Sequence, residues 1–248
     1  MVSSLFQGYF GVTLFRCGDS CTSFTLAGLG IIGASLLLFG SGYALLQKKC
    51  LPKRWWKPLA RFYFYPMMIP GYLWRVLISP RGFYFNDIDE GVLLGAVPLT
   101  IAGHPAQLHA DGVRAVVNLM DEYTGAVAAY AKLEPPIVQL RLPCVDHVEP
   151  TVAQFHEAVA FIALHRARGV RVLVHCKGGH GRGAAVAAAW LLSPHGGGSM
   201  TPAAAQRRLD SCRHVRKKLL QQEGLLRYYE EVRNHQGQVG RTGGPSRY

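Results

Sequence analysis

Acidic residues are scarce in this chain of 248: only 15 Asp plus Glu stand against 27 Lys plus Arg, and none lies between Leu46 and Asp87. A balance this basic argues for a polyanionic partner, and it suits nucleic acid, anionic lipid or phosphorylated substrates in general. Paired cysteine spacings are missing as well. The six cysteines at 17, 21, 50, 144, 176 and 212 form neither a metal-ligand pattern nor a compact disulfide framework, which places the main domain in a reducing compartment. The chain has no internal repeat, no divalent-metal constellation and no base-reading motif, so no cofactor, no metal and no nucleic-acid partner is expected. A chain of this length buries one good core, so a single catalytic domain with appendages is expected.

What is present is concentrated in one segment, His175-Cys176-Lys177-Gly178-Gly179-His180-Gly181-Arg182. Val170 to Val174 before it reads as a short buried strand, and Ala184 to Leu192 after it reads as an apolar helix. Glycines at 178, 179 and 181 let successive N–H groups turn inward at the helix start, where the dipole favours an anion. Those N–H groups and the guanidinium of Arg182 favour a thiolate at Cys176, and thiolate is the nucleophilic form. Arg182 offers a planar fork for phosphate oxygens. Lys177 and His180 complete the cradle. His180 reads equally as a pH-dependent phosphate contact or as a solvent-facing side chain.

An alkoxide leaving group needs a proton, and Asp146 is the candidate donor, since it follows the strand-like Ile137 to Arg141 and strand ends share one rim of a parallel sheet. The alternative is a plain turn residue ahead of Thr151, an N-cap with Gln154 three positions on.

The His-Cys-x5-Arg spacing is similar to that of the cysteine-dependent phosphatases, and the chain resembles the dual-specificity class, in particular the mitochondrial phosphatases of phosphatidylglycerophosphate. Three blocks carry the resemblance, Asn86 to Pro98, Asn118 to Tyr123, and the cradle with Asp146; together they span about residues 84–233. The resemblance implies Cys176 as nucleophile, Arg182 as phosphate clamp, Asp146 as general acid, and Asp121, Glu122 and Tyr123 as a loop framing the substrate. Thr124 stands where that loop usually carries another Glu. Gly183 stands where the family carries Ser or Thr, whose hydroxyl hydrogen-bonds the cysteine sulfur and helps it leave. Losing a hydrogen bond to a charged group, about 1.5–3 kcal/mol, predicts turnover slowed roughly ten- to hundredfold.

Phe24 to Leu46 contains no charged residue and is long enough to cross a bilayer, so one transmembrane helix is expected at 24–46, after an amino-terminal segment 1–23. A basic, aromatic juxtamembrane segment, 47–83, follows. It carries Lys48, Lys49, Lys53, Arg54, Lys57, Arg61, Arg75 and Arg81, with Trp55, Trp56, Tyr63, Tyr65, Tyr72 and Trp74 placed as interfacial anchors. Two prolines break the apolar run Phe62 to Trp74, which is expected to lie in the interface rather than cross. The positive-inside rule then puts the catalytic domain, 84–233, on the cytosolic or matrix side, and the resemblance suggests the mitochondrial inner membrane.

Beyond Pro98 the pattern alternates: strand at Val113 to Leu119, helix at Thr124 to Lys132, strand at Ile137 to Leu142, helix at Thr151 to Arg168, then strand and cradle. This argues for an α/β fold, a central largely parallel sheet flanked by helices, with Phe155, Val159 and Ile162 packing on it. Helices are expected to open at Thr201-Pro202 and to run from about Val215 to Arg233. Arg207, Arg208, Arg213, Arg216, Lys217 and Lys218 read as a solvated face ahead of a phospholipid-facing patch, and 234–248 as a disordered tail. Three functions follow: an anchored phosphatase converting phosphatidylglycerophosphate to phosphatidylglycerol, a dual-specificity phosphoprotein phosphatase, or a phosphate-binding adaptor whose turnover Gly183 has impaired.

Overall fold

Five short strands, β1 (Phe85–Asp89), β2 (Val92–Gly95), β3 (Val113–Met120), β4 (Val138–Cys144) and β5 (Arg171–His175), pair in the order β1-β2-β5-β3-β4. Only β1 with β2 is antiparallel; β2, β5, β3 and β4 run parallel. The structure, a computed structural model, describes residues 20–48, 50–77, 84–196 and 200–242, with backbone alone at 20–30, 47, 74–76 and 236–242. Residues 1–19 of the amino-terminal segment, Lys49, Arg81 and the last six residues of the tail lie outside the described residues, as do the side chains of Trp74 and Arg75.

Parallel strands buried on both faces read as continuous apolar runs, and β5 is such a run. Val172 and Val174 point into one core with α5 (Val152–Ala167), α6 (Arg182–Leu192), α7 (Pro202–Cys212) and α8 (Glu223–Thr242). Leu173 points into a second core with Leu108 of α3 (His104–Ala110) and Tyr130 of α4 (Val127–Tyr130). Phe155, Val159 and Ile162 of α5 are buried in the first core, as their spacing predicts. Thr151 and Gln154 form a reciprocal capping box at the start of α5, and the Thr201 side chain caps α7 with Pro202 next in line.

The chain divides into two compact units, one up to Pro52 and one from Lys53 onward. In the first, α1 (Ser20–Gln47) coincides with the charge-free run. The expected transmembrane helix is nonetheless unsupported, because among the described residues no helix is long and apolar enough to cross a membrane.

The second unit opens with α2 (Lys53–Leu77), a continuous helix despite Pro58, Pro66 and Pro70. All three prolines are exposed, so the missing N–H groups and the rings fall on the solvent side. Phe64 on the opposite side is fully buried, joining the core of α5 and α6.

Two helices differ from expectation. The expected helix over Thr124 to Lys132 shortens to α4, since Gly125 adopts a positive φ of 102° and ends any helix there. The expected helix from Val215 starts later, as one turn at Leu219–Gln221 followed by α8, because the backbone at 213–216 is drawn to the cradle. The chain stays helical through Thr242, so most of the expected disordered tail is the end of α8.

Candidate active site

Three strands deliver the site, because β3, β4 and β5 are parallel and end at one rim. From β5 comes the loop 176–181, from β4 the turn carrying Asp146, and from β3 the loop Asp121-Glu122-Tyr123. Register fixes the juxtaposition: Asn118 lies beside His175, and Met120 beside Cys144.

The cradle loop wraps the sulfur. Gly179 N–H donates to Cys176 Sγ at 3.2 Å, and Cys176 is only 4% exposed. Gly179 has φ of +71°, and a Cβ there would sit 2.6 Å from the carbonyl oxygen of Gly95, so only glycine permits this bend. Gly183 is buried in the first turn of α6, where a Cβ would approach Cys176 N to 3.2 Å and the carbonyl carbon of His175 to 3.3 Å.

Arg182 is buried and heavily engaged. Its NH1 and NH2 donate to Glu122 Oε2 and Oε1 at 2.8 and 2.7 Å, a two-pronged pair with side-chain exposures of 3% and 1%. NH1 also donates to the Cys144 carbonyl at 2.8 Å, and NH2 lies 2.9 Å from Asp146 Oδ1. Burial works against the guanidinium charge, but Asp146 and Glu122 outweigh it and hold Arg182 above its ordinary value. The fork expected to face phosphate is therefore braced on Glu122, with one N–H shared with Asp146.

Burial alone raises the Asp146 carboxyl; Arg182, His147 and Lys177 oppose it and the net shift is downward. Its own loop reinforces this, since His147 N–H donates to Asp146 Oδ1 at 3.1 Å. His147 holds a φ of 62°, an unusual conformation for a side-chain-bearing residue. Cys144, the neighbouring thiol, is of another kind: burial pushes it up to about 12, and it donates to the Val148 carbonyl at 3.3 Å.

The three loop residues after β3 divide their tasks. Glu122 reaches Arg182, while Asp121 turns to α2, with Lys57 Nζ at 3.1 Å and Arg61 NH2 at 3.2 Å. Tyr123 stacks on Phe64 of α2 with ring centroids 5.6 Å apart. Asn118 shapes the loop from inside, donating to the Tyr123 carbonyl at 3.1 Å and accepting from Met120 N–H at 2.9 Å.

A model of the Tc-R-P family, the polymorphic toxin system DSP-PTPase phosphatase, matches residues 98–196. Phosphatidylglycerophosphatase and protein-tyrosine phosphatase 1 of Mus musculus is 32% identical over 180 residues, covering 70% of this chain and 91% of that protein. The chain belongs to the dual-specificity phosphatase family. It is a cysteine-dependent phosphatase. The crystal structure of PTPMT1 in complex with PI(5)P aligns with a TM-score of 0.53 at 30% identity, covering 62% of this chain and 99% of that one. Human DUSP28, at 24% identity and a TM-score of 0.51 over 62% of this chain and 99% of that one, shares the fold.

Sequence reasoning missed how the phosphatase braces its cradle. Arg213, read as part of a solvated basic face, is 5% exposed and donates to the carbonyls of Leu94 at 2.7 Å and Gly178 at 3.1 Å, and to Asn86 Oδ1 at 3.2 Å. His180 is drawn to the same segment: its Nδ1–H donates to the His214 carbonyl at 2.6 Å, and Arg216 N–H donates back to the His180 carbonyl at 3.0 Å. No local signal marks Arg213, but Asn118, a fully buried polar residue among the apolar ones that end β3, was such a signal for the loop it holds.

Proposed function

We propose that this phosphatase hydrolyses the phosphomonoester of phosphatidylglycerophosphate through a phosphocysteine on Cys176. The observation that carries the chemistry is the convergence of a sulfur held by a main-chain N–H, a buried arginine and a carboxylate at one rim. Cys176 sulfur attacks phosphorus, the S–P bond forms as the P–O bond to the lipid alkoxide breaks, and Asp146 supplies the proton that alkoxide takes. Water then attacks phosphorus, gives its proton to the Asp146 carboxylate, and releases phosphate and the thiolate.

Arg182 links the two steps. Its NH2 faces Asp146, so an arriving phosphate dianion competes for that N–H and its charge raises the neighbouring carboxyl toward the protonated, donating form. Backbone N–H groups, with Lys177 beside Asp146, meet the spreading charge of the transition state.

The lipid assignment is supported by the relative named for phosphatidylglycerophosphate and by the solved PI(5)P complex of PTPMT1. The same relative is also named a protein-tyrosine phosphatase, which favours phosphoproteins as the second reading. Action at a mitochondrial membrane goes with the lipid reading, with 84–233 as the catalytic part. The third reading, a phosphate-binding adaptor, rests on Gly183. Phosphate release from phosphatidylglycerophosphate, phosphoinositides and phosphopeptides, with Cys176→Ser and Asp146→Asn as controls, decides among them. Preference for phosphopeptides overturns the lipid reading, and binding without release supports the adaptor.

A further inference from the structure

The two sides of α2 are unlike. Lys57, Arg61, Phe64, Met68 and Tyr72 recur at three- and four-residue spacing along its inner side, where they hold Asp121, stack on Tyr123 and join the core. About a third of a turn away, Trp55, Tyr65, Ile69, Leu73 and Leu77 stand exposed by 49, 63, 62, 46 and 73%. That outer stripe runs most of the length of a 25-residue helix that contains no acidic residue, and exposed Lys53 and Arg54 flank its amino-terminal end.

We infer that the outer side of α2 is a docking surface for an anionic phospholipid bilayer. A row of large apolar side chains edged by cations matches a helix lying in the headgroup boundary, where apolar area is buried while the cations are drawn to an anionic leaflet. Charge chooses the occupant: a second copy of a chain carrying net charge +12 brings the same cations to the contact, whereas an anionic leaflet complements them. The structure also revises which aromatic residues serve this contact. Tyr63 is 6% exposed and Tyr72 packs against Tyr84 and His104, so neither is on the outer side. Because the inner side of the same helix holds the Asp121-Glu122-Tyr123 loop, and Glu122 holds Arg182, docking brings the bilayer to the flank of the active site. This gives the proposed lipid reading its geometry, but vesicle binding is read without any substrate, so the two fail separately.

The test uses the full chain with phosphatidylcholine vesicles, with and without phosphatidylserine, carrying brominated acyl chains. Anionic vesicles are expected to quench tryptophan emission, with much of the quenching lost in Trp55→Phe. Ile69→Asp with Leu73→Asp places two carboxylates on the apolar stripe and is expected to weaken vesicle affinity by roughly a hundredfold or more. Turnover of soluble para-nitrophenyl phosphate stays at the unsubstituted level and shows that the double variant folds. Unchanged affinity in the double variant, or quenching indifferent to Trp55, overturns the inference. Self-association that the double variant abolishes overturns it in favour of a second copy of the chain.

Discussion

Glu122 and Arg182 meet as a two-pronged pair at 2.8 and 2.7 Å, both shielded from solvent, although 60 residues separate them in the chain. Removing one partner of a buried pair costs up to about 3–5 kcal/mol, and less here because Asp146 still faces the guanidinium. Glu122→Gln is therefore expected to lower the unfolding midpoint in denaturant and to weaken vanadate binding, because the guanidinium loses its brace. Unfolding and vanadate titrations check both; an unchanged vanadate affinity contradicts the bracing role.

Asp146 is held down by Arg182, so its protonated form is scarce near neutrality. Activity that needs the proton should fall as pH rises, and kcat/KM for an alkyl phosphate is expected to decline on the basic side. Asp146→Asn flattens that limb and lowers kcat by about 10²–10⁴. For para-nitrophenyl phosphate, whose leaving group needs no proton, the loss is much smaller. Equal losses for both esters contradict the general-acid role.

Gly183 offers the sulfur no side-chain hydroxyl, which predicts a fast burst of alcohol ahead of slower phosphate release. A side chain at this position presses on Cys176 N at 3.2 Å, so Gly183→Ala reports crowding alone. Gly183→Ser is expected to exceed Gly183→Ala in steady-state turnover by about tenfold, the worth of a hydrogen bond to a charged group. Stopped-flow measurement showing no burst, or equal rates for the two variants, removes the hydroxyl argument.

Arg213 acts through the cradle, holding the carbonyl of Gly178. Arg213→Ala is expected to lower kcat as well as stability, since it strands the buried carbonyl of Leu94, costing about 1–3 kcal/mol, and frees the half-buried carbonyl of Gly178. Arg213→Lys restores charge but lacks the fork, and should recover stability more than kcat. Parallel recovery of both would assign Arg213 a purely structural part.

His175 is fully buried at the end of β5. Burial lowers its imidazole from 6.5 to about 3, below the unfolded value. The neutral form belongs to the fold, so stability is intact above pH 6.5 and falls as pH drops toward 3, by about 1.4 kcal/mol per unit. Unfolding free energies between pH 7 and 4 are expected to show a slope that His175→Asn removes.

Much of this was legible because its causes are local. An apolar strand, a glycine loop and an apolar helix in succession specify the cradle around Cys176, and the cap at Thr151 announced α5. Arg213 and the pairing of α2 with Asp121 were not legible, because solvated and buried arginines look alike in a sequence. The prolines of α2 misled for a related reason: their cost depends on which side of the helix they face.

By itself the sequence determined the order of elements, the spacing of Cys176 and Arg182, and the basic charge, since backbone preference and hydrophobic period act over a few residues. Tertiary structure alone decided that Glu122 braces Arg182, that Asp146 shares its N–H, and that α2 turns one side to the Asp121-Glu122-Tyr123 loop. Those are contacts between distant segments, set by strand order and register, and no local propensity encodes them.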